Sequence, residues 1–368
     1  TVMEINLDAM VRNFNEFRSL MPANAGIVAM VKASAYGIGA IEASKTLQSH
    51  GAAYLAVAVV DEGVTLRDAG ITMPVMVMNP ITTNFRALFN YRLEPSVFSL
   101  AELAHIAEEA AIADCDDVAV HIKLDTGMHR MGFSDDEIPA LAEALKAHPR
   151  LHVASVFSHL ATADCLDKDD YTKLQLETFK SMSDKLAALL DKPLRRHILN
   201  TAGMMRFGHT ADAYDMGRLG IGLYGISPLP GEATHIDLTP VATLTTTIIA
   251  LRRYPAGTTV GYGRRGVLNR DSLIATLPIG YADGIDRHLG CGAASFRTGG
   301  KDCPTVGSIC MDMCMIDVTD VAEAHIGDTV EIFGPELPIE RLSDTLGTIP
   351  YEVLSTISPR VRRIFYHE

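Results

Sequence analysis

The amino-acid sequence predicts an α/β fold, in which a (β/α)8 TIM-like barrel is followed by a mostly-β C-terminal domain. Three observations lead to this prediction. The chain has 368 residues, which is long for one compact core, so two domains are expected. The first two-thirds of the chain repeat a short β-branched run, a turn and a helical stretch. Beyond Pro228–Gly231 the pattern changes to short strands separated by Gly, Pro and Asp.

The repeated unit supplies eight buried runs whose length and β-branched content are typical of strands. In chain order they are Ile27–Lys32, Tyr54–Val59, Val75–Met78, Leu93–Val97, Val118–Asp125, Val153–His159, His197–Asn200 and Met216–Leu219. Amphipathic segments rich in Ala, Leu and Glu separate them, as at Leu100–Ala111, Ile138–Ala147 and Tyr171–Leu190. Strands that alternate with helices and show no clear order reversal favour a closed barrel. Their spacing alone leaves a doubly wound open sheet as the alternative.

The last third of the chain supplies the strands of the second domain. They are predicted at Val241–Leu251, Leu273–Leu277, Thr305–Asp317 and Thr329–Phe333. Met3–Leu7 is also strand-like, and we expect it to pair with this domain and to bring the ends of the chain together. The expected domains are therefore residues 8–235 for the barrel and residues 236–368, with residues 1–7, for the mostly-β part.

Charge and composition exclude several classes of protein. The chain carries 32 Lys and Arg against 45 Asp and Glu, a net charge of −13, so nucleic acid and anionic membrane surfaces are not expected partners. No apolar run approaches the roughly 20 residues that span a bilayer. The six cysteines form no CxxC pair, and Cys310 and Cys314 are expected on one face of a strand without a histidine at ligand spacing. We therefore expect packing thiols, no metal and a cytoplasmic location.

Polar residues stand at the ends of the predicted barrel strands, where barrel enzymes carry their reactive groups. In the strand Val118–Asp125, His121, Lys123 and Asp125 share one face, which is expected to point into the barrel mouth. A solvated edge strand is the alternative explanation of this alternation. The full set of strand-end candidates is Lys32, Tyr36, Lys123, Arg130, His159, His197, Asn200 and Arg218.

Lys32 ends an apolar strand and is followed by small residues up to Gly39, which would let a ligand approach the backbone. A desolvated lysine is suited to Schiff-base chemistry, because only the neutral amine attacks an aldehyde. Glu42 stands where a dinucleotide-binding fingerprint requires its third glycine, so a Rossmann interpretation fails.

The segment Val31–Gly37 resembles the cofactor-lysine signature of the alanine racemase family, and the resemblance runs from Met3–Leu7 to residues 359–364. The family's other motifs follow in order at residues 123–132, 158–164, 218–225, 260–263, 280–284, 310–312 and 349–352. The resemblance implies a pyridoxal-phosphate-dependent isomerase that interconverts L-alanine and D-alanine and supplies D-alanine for peptidoglycan synthesis. It also implies a homodimer with shared active sites.

The resemblance also assigns the catalytic roles. Lys32 would bind the cofactor and act as a base on one face of the substrate Cα, and Tyr262 of the partner subunit would act on the other. An unperturbed phenol titrates near about 10, so His159 and Arg218 are expected to lower the pKa of Tyr262. Arg218 would lie beside the pyridine nitrogen and disfavour its protonation, which favours racemisation over transamination.

The remaining assignments concern cofactor and substrate binding. The implied cofactor ligands are Lys32, Tyr36, His159, Asn200, Thr201, Arg218, Tyr351 and the backbone amides of Gly220 and Ile221. The implied substrate-binding residues are Arg130, which would face the substrate carboxylate or the cofactor's phenolic oxygen, with Met311 and Tyr281 at the entrance. Lys123 is a candidate for carbamylation, which would create an anion able to pair with Arg130. The sequence departs from the family at Ile38 and Ser308, where a histidine and an arginine are frequent.

Three alternatives remain open. The chain could be a racemase of serine or another small amino acid, or a related barrel-fold decarboxylase, although such decarboxylases have an acid where this chain has Arg218. A non-enzymatic pyridoxal-phosphate carrier would lack the second domain. The opening of the chain, at Thr1, resembles racemase domains fused behind a cell-wall ligase.

Overall fold

The structure is a computed structural model that describes residues 1–80, 84–210, 214–231 and 236–368. The chain divides into two compact units, which we call the barrel unit and the β unit. The barrel unit comprises Met10–Ala35 and Ala40–Thr239, and the β unit comprises Thr1–Ala9, Tyr36–Gly39 and Pro240–Glu368. The boundary predicted at residue 235 lies outside the described residues. Within the described ranges, no helix combines the length and apolar character needed to cross a membrane.

Strand β1 (Val2–Asn6) lies in the β unit, and the next eight strands form the barrel sheet. These are β2 (Gly26–Met30), β3 (Tyr54–Val57), β4 (Val75–Val77), β5 (Glu94–Val97), β6 (Val118–Lys123), β7 (Leu151–Phe157), β8 (Arg196–His197) and β9 (Met216–Leu219). All seven ladders between them are parallel. The sheet closes between β8 and β9, because the amides of Asp215 and Arg218 donate to the carbonyls of Arg196 and Leu199 at 2.9 Å each. The predicted barrel is confirmed, and the open doubly wound sheet is excluded.

The helices of this part of the chain are α1 (Leu7–Ser19), α2 (Lys32–Tyr36), α3 (Ala40–Ser49), α4 (Val60–Asp68), α5 (Phe85–Asn90), α6 (Leu100–Ile112), α7 (Ile138–Ala147), α8 (Asp169–Leu190) and α9 (Thr201–Phe207). Helix α6 illustrates how the sequence specifies them. Ser99 caps its first turn by accepting from the Glu102 amide at 3.2 Å. Leu103, Ile106 and Ala110 are spaced by three and four residues and form its buried face.

The β unit contains three sheets. The largest has the strand order β16-β15-β18-β10-β1-β19, with β1 antiparallel to β10 and parallel to β19. The other two have the orders β11-β14-β17 and β12-β13. The strands are β10 (Ala242–Thr247), β11 (Ala250–Tyr254), β12 (Thr259–Val260), β13 (Gly266–Val267), β14 (Ser272–Leu277), β15 (Ser295–Thr298), β16 (Lys301–Pro304), β17 (Cys314–Asp317), β18 (Thr329–Phe333) and β19 (Arg362–Tyr366), with helices α10 (Glu340–Leu346) and α11 (Pro350–Ser355).

Two predicted strands of the β unit are wrong in extent. The run expected at Val241–Leu251 is divided into β10 and β11, which lie in different sheets. The run expected at Thr305–Asp317 forms a strand only from Cys314 onward. Gly307 interrupts it with φ +68°, and a Cβ there would lie 2.6 Å from the Val260 carbonyl oxygen. Cys310 therefore lies in a turn and does not share a strand face with Cys314.

Candidate active site

Lys32 lies just beyond the C-terminal end of β2 and opens a left-handed turn. Ala33, Ser34, Ala35 and Tyr36 have φ angles of +52°, +55°, +53° and +56°. Left-handed geometry costs a residue with a Cβ about 1–2 kcal/mol, so four in succession store considerable strain. Glu62 supports the turn, because its carboxylate accepts from the Ala33 amide at 2.6 Å and from the Ala58 amide at 2.7 Å. The end of β2 is thereby tied to the loop after β3.

The two glycines after Lys32 have a packing role, and the expected approach of a ligand to the backbone here stays a prediction. Gly37 and Gly39 belong to the β unit and have φ +91° and +115°. A Cβ on Gly37 would lie 2.5 Å from the Leu354 carbonyl oxygen, and one on Gly39 would lie 2.7 Å from the Phe365 ring. These glycines therefore allow close packing within the β unit. Ile38, the first departure from the family pattern, is fully buried between them.

Cationic side chains are concentrated in the mouth of the barrel. Burial lowers the pKa of Lys32, and Arg130 lowers it further, while Glu62 opposes the shift. Burial, Arg218 and Arg130 lower the pKa of Lys123 to about 8. Burial and Arg130 lower the pKa of Arg218 to about 9. Positive charges that depress one another's pKa in this way form a site suited to anionic ligands.

Arg218 is 2% exposed and is held by neutral acceptors. One terminal nitrogen, Nη1, donates to His197 Nδ1 at 2.9 Å and to the His197 carbonyl oxygen at 3.2 Å. The other, Nη2, donates to His159 Nδ1 at 3.1 Å and to the carbonyl oxygens of Ser158 and Ile198. Within the described ranges, Arg218 has no carboxylate partner.

The ring of Phe157 packs against two of the site's cations. The Arg218 guanidinium lies 5.3 Å from the ring centroid and Lys123 Nζ lies 5.6 Å from it, both within cation–π range. Sequence reasoning assigned no role to Phe157 or to Glu62. Glu62 follows the predicted strand Tyr54–Val59, so a wider strand-end criterion would have included it. Phe157 lies inside the predicted strand Val153–His159, and only the structure shows that the strand ends there.

His159 is neutral in this arrangement. A guanidinium has no acceptor, so the His159 Nδ1 that faces Arg218 must accept, and its proton is on Nε2. Burial and the positive charge of Arg218 also lower the pKa of His159 well below its ordinary value. His159 can therefore offer an N–H donor to a ligand atom.

The loops that follow β8 and β9 are joined at one point. The Gly220 amide donates to Thr201 Oγ1 at 2.9 Å, and Ile221 begins a 3-10 helix that extends to Tyr224. The Tyr224 hydroxyl donates to the Met30 carbonyl oxygen at 2.6 Å, which ties this loop to the end of β2. The structure thus brings the predicted phosphate ligands Thr201, Gly220 and Ile221 together. Tyr224 lies in the matching motif at residues 218–225, but no role was predicted for it.

Asn200 is used locally. Its Oδ1 accepts from the Gly203 amide at 2.9 Å and caps helix α9, and its Nδ2 donates to the Leu160 carbonyl oxygen at 3.4 Å. Its role in binding the cofactor stays a prediction.

The loop that carries Arg130 is tightly organised. Phe133 and Lys123 pair through the Phe133 amide at 2.9 Å, and the Asp125 carboxylate accepts from the amides of Gly127 and His129. The exposed Arg130 side chain follows directly from this turn. Of the strand residues expected to face the barrel mouth, His121 and Lys123 are buried, and Asp125 is partly exposed.

In the β unit, two predicted phosphate ligands lie together. The rings of Tyr36 and Tyr351 have centroids 5.9 Å apart. Burial raises the pKa of Tyr36 to about 12, so its hydroxyl remains protonated at neutral pH. Tyr262 lies between Gly261 and Gly263, both with positive φ, and its side chain is 73% exposed.

Tyr281 and Met311 lie on two loops of the β unit that are bonded to each other. The Tyr281 amide donates to the Cys310 carbonyl oxygen, and the Ala282 amide donates to the Met311 carbonyl oxygen, both at 3.0 Å. Ser308, the second departure from the family pattern, lies close by in the sequence and is buried, and its hydroxyl has no hydrogen-bond partner in the part of the chain that the structure describes. The two predicted entrance residues therefore lie on a common surface.

Arg360 braces these two loops. Its guanidinium donates twice to the Asp283 carboxylate, at 2.7 and 3.0 Å, and once to Asp312 at 2.8 Å. Asp283 also accepts from the Gly280 amide at 2.8 Å. Sequence reasoning placed Asp283 and Arg360 within matching motifs but gave them no role.

Comparison with known proteins gives one consistent result. The family model for the N-terminal domain of alanine racemase matches residues 5–228, and that for the C-terminal domain of alanine racemase matches residues 241–365. The alanine racemase of Clostridium kluyveri is 38% identical over 371 residues, covering 98% of this chain and 93% of that protein. The solved alanine racemase of Clostridium difficile 630 has a TM-score of 0.93 and 34% identity, with 100% and 96% of the two chains covered. The Bartonella henselae alanine racemase, solved with covalently bound pyridoxal phosphate, has a TM-score of 0.89 and 27% identity, with 99% of each chain covered.

Proposed function

This chain belongs to the alanine racemase family, and we propose that it interconverts L-alanine and D-alanine with pyridoxal phosphate bound at the barrel mouth. The observation that carries the proposal is the pair of cations at the ends of β2 and β9. Lys32 supplies an amine with a lowered pKa. Arg218 supplies a buried guanidinium that has no carboxylate partner in the described part of the chain.

The residues present fit this cofactor in charge and in chemistry. The cluster of Lys32, Lys123, Arg130 and Arg218 would be balanced by a phosphate ester and an amino-acid carboxylate. When bound, pyridoxal phosphate supplies an aldehyde that condenses with amines and a conjugated ring that stabilises negative charge at the substrate Cα. The proposed ligands of its phosphate are Tyr36, Thr201, Tyr351 and the amides of Gly220 and Ile221, and Asn200 and His159 are the proposed ligands elsewhere on the cofactor.

Lys32 is suited to be the base on one face of the substrate. Its lowered pKa increases the fraction of neutral amine at neutral pH, and the neutral amine both attacks an aldehyde and accepts a proton. The bond from Glu62 to the Ala33 amide fixes the backbone beside Lys32. The amine would thus be held in place while it removes or returns the Cα proton.

Tyr262 is the proposed acid–base group for the opposite face, supplied by a second copy of the chain in a homodimer. Its large exposed fraction is compatible with insertion into another subunit. His159 supports the assignment, because its Nε2–H would donate to a phenolate and stabilise it. Racemisation needs groups on both faces, so this dimer would be required for catalysis.

Arg218 would favour racemisation over the competing reactions. If its guanidinium faces the ring nitrogen of the bound cofactor, it would disfavour a second positive charge there and so reduce the charge that the ring withdraws from Cα. A decarboxylase of related fold has an acid at this place, whereas Arg218 is surrounded by carbonyl oxygens and histidine nitrogens. A carrier would have no use for the C-terminal domain matched at residues 241–365.

The proposed substrate contacts are Arg130 for the carboxylate and Tyr281 and Met311 at the entrance. A carbamylated Lys123 would pair with Arg130 and orient it. The proposed role is supply of D-alanine for peptidoglycan synthesis in the cytoplasm, and a racemase of serine or another small amino acid is the second candidate.

The decisive experiment combines cofactor spectroscopy with a substrate panel. The purified protein should show visible absorbance that borohydride bleaches, and it should exchange the Cα proton of L-alanine faster than those of L-serine and larger amino acids. Absence of both signals would refute the proposal. Tyr262→Phe should lose roughly 100-fold or more of the racemase activity and keep the absorbance. Tyr254→Phe is the matched control, and a fully active Tyr262→Phe variant would mean that another group serves the second face.

A further inference from the structure

A chain of hydrogen bonds runs through the interior of the barrel to Arg218. Arg218 Nη1 donates to His197 Nδ1 at 2.9 Å, and His197 Nε2 lies 2.8 Å from Ser155 Oγ. Ser155 Oγ lies 2.6 Å from His121 Nδ1, and His121 Nε2 lies 3.0 Å from Glu94 Oε2. We call these four residues beyond Arg218 the relay.

The relay stands where barrels are usually apolar. The interior of a (β/α)8 barrel is filled mainly by branched aliphatic side chains. Here His121, Ser155 and His197 are completely buried on three successive strands, β6, β7 and β8. Burying three polar side chains costs free energy unless each is hydrogen-bonded, and each of them is. Such a fully satisfied network needs a reason beyond filling space.

The direction of donation along the relay follows from the chemistry of Arg218. A guanidinium only donates, so His197 Nδ1 must accept and the His197 proton is on Nε2. That Nε2–H donates to Ser155 Oγ, and the single hydroxyl hydrogen of Ser155 is then directed to His121 Nδ1. The proton of His121 is consequently on Nε2 and is donated to the Glu94 carboxylate. Each member donates to the next, and the chain ends at a group that only accepts.

The far end of the relay is anchored among charged groups. Glu94 opens β5, its side chain is 17% exposed, and it also hydrogen-bonds Tyr54. The cations that face this end are Arg67 and Arg195. The ring of Tyr54 packs edge-on against His121, with centroids 5.4 Å apart. Glu94 is thus held in place as an acceptor by its own surroundings.

We propose that Glu94, His121 and Ser155 are positioning residues, which hold His197 in its Nε2–H form so that Nδ1 accepts from Arg218 and orients the guanidinium. The catalytic part of this inference rests on the proposed function, in which Arg218 would face the ring nitrogen of the cofactor. If the relay is cut, His197 can adopt the other tautomer, whose Nδ1–H would oppose the N–H of Arg218. The guanidinium would then turn away, and protonation of the ring nitrogen would become easier.

The first test reads the tautomers directly. Long-range ¹H–¹⁵N NMR spectra of the full chain, as purified with its cofactor, should show both His121 and His197 protonated on Nε2 only. Ser155→Ala should change the pattern of His197, whereas Glu94→Gln should preserve it, since the amide oxygen still accepts. A His197 protonated on Nδ1 in the unmodified protein would overturn the proposal, even if Ser155→Ala did not fold.

The second test reads the choice of reaction. Ser155→Ala should raise the ratio of transamination to racemisation roughly tenfold and leave the KM for alanine within about twofold. Ser96→Ala is the matched control, because Ser96 is an equally buried barrel serine that donates to the Met78 carbonyl oxygen outside the relay. A lower kcat with an unchanged ratio would indicate a merely structural role and would overturn the proposal. If the unmodified protein racemises no amino acid, the proposed function fails. The NMR measurement of the histidine tautomers still tests the positioning role of the relay.

Discussion

Replacing Lys123 by methionine should stabilise the protein at neutral pH, although it removes a charge from the site. Lys123 is 3% exposed, and the fall of its pKa from 10.5 to about 8 measures how poorly the folded state accommodates the ammonium group. At about 1.4 kcal/mol per unit this amounts to roughly 3 kcal/mol. Loss of the cation–π contact with Phe157 offsets about 0.5–1 kcal/mol of it. The expected net gain in the free energy of unfolding is therefore about 2 kcal/mol.

The pH dependence of unfolding gives a second check on the sign of the stability change expected for Lys123→Met. Below pH 8 the folded protein must carry the charge, so the penalty is fully present, and it disappears as the pH rises to 10.5, where the unfolded chain also loses its proton. Urea unfolding of Lys123→Met and of the parent chain should therefore differ most near pH 7 and converge near pH 10.5. Lys146→Met, at an exposed lysine on α7, is the control and should change little.

Carbamylation of Lys123 would reverse the expectation, because the carbamate is an anion among cations. The unfolding measurements are therefore made in CO2-depleted buffer, and intact-mass spectra before and after acidification reveal whether one CO2 is lost. If Lys123→Met is no more stable than the unmodified, carbamate-free protein at pH 7, the argument from burial and neighbouring charge is wrong.

Three further predictions address the backbone and loop geometry around the site. Ser34→Gly should raise the free energy of unfolding by about 0.5–1 kcal/mol in urea, because the exposed Ser34 has φ +55°, whereas Ser34→Val should lower it. Thr201→Val should weaken cofactor binding roughly tenfold in an absorbance titration, because the proposed phosphate site loses the hydroxyl of Thr201, and Thr201→Ser should restore it. Arg360→Lys should raise the KM for alanine severalfold with little change in kcat, because lysine cannot bind the Asp283 carboxylate through two nitrogens, and an unchanged KM would contradict the bracing role.

The strands of the barrel were predictable because their information is local. Val75–Val77 and Met216–Leu219, for example, are short and mainly apolar runs bounded by turn residues. A parallel strand that is buried on both faces has this composition, because side chains on either face meet an apolar core. Some predicted strands extend beyond the observed ones, as at Lys32, where β2 already ends at Met30. The first residues after a strand have the same composition as the strand itself, although the backbone has begun to turn.

The relay was not predictable in the same way. His121 drew notice through its alternation with Lys123, but Ser155 is an ordinary serine in an apolar strand, and its meaning comes from partners on β6 and β8. Contacts between strands depend on register, and register is a property of the folded barrel. The left-handed turn after Lys32 was hidden for a related reason, since alanine and serine carry no sign of positive φ.

The position of β1 between β10 and β19 has a consequence for synthesis of the chain. A ribosome makes β1 long before either of its neighbours, and most of the barrel unit is complete while β1 still lacks a partner on both edges. Domains generally fold as units during translation, so the barrel can form first, and the β unit must wait for residues 362–366. During that wait β1 offers two unpaired edges and the apolar side chains of Met3 and Ile5 to other nascent chains. Aggregation during expression should therefore be most sensitive to changes in β19, far along the sequence from the strand it protects.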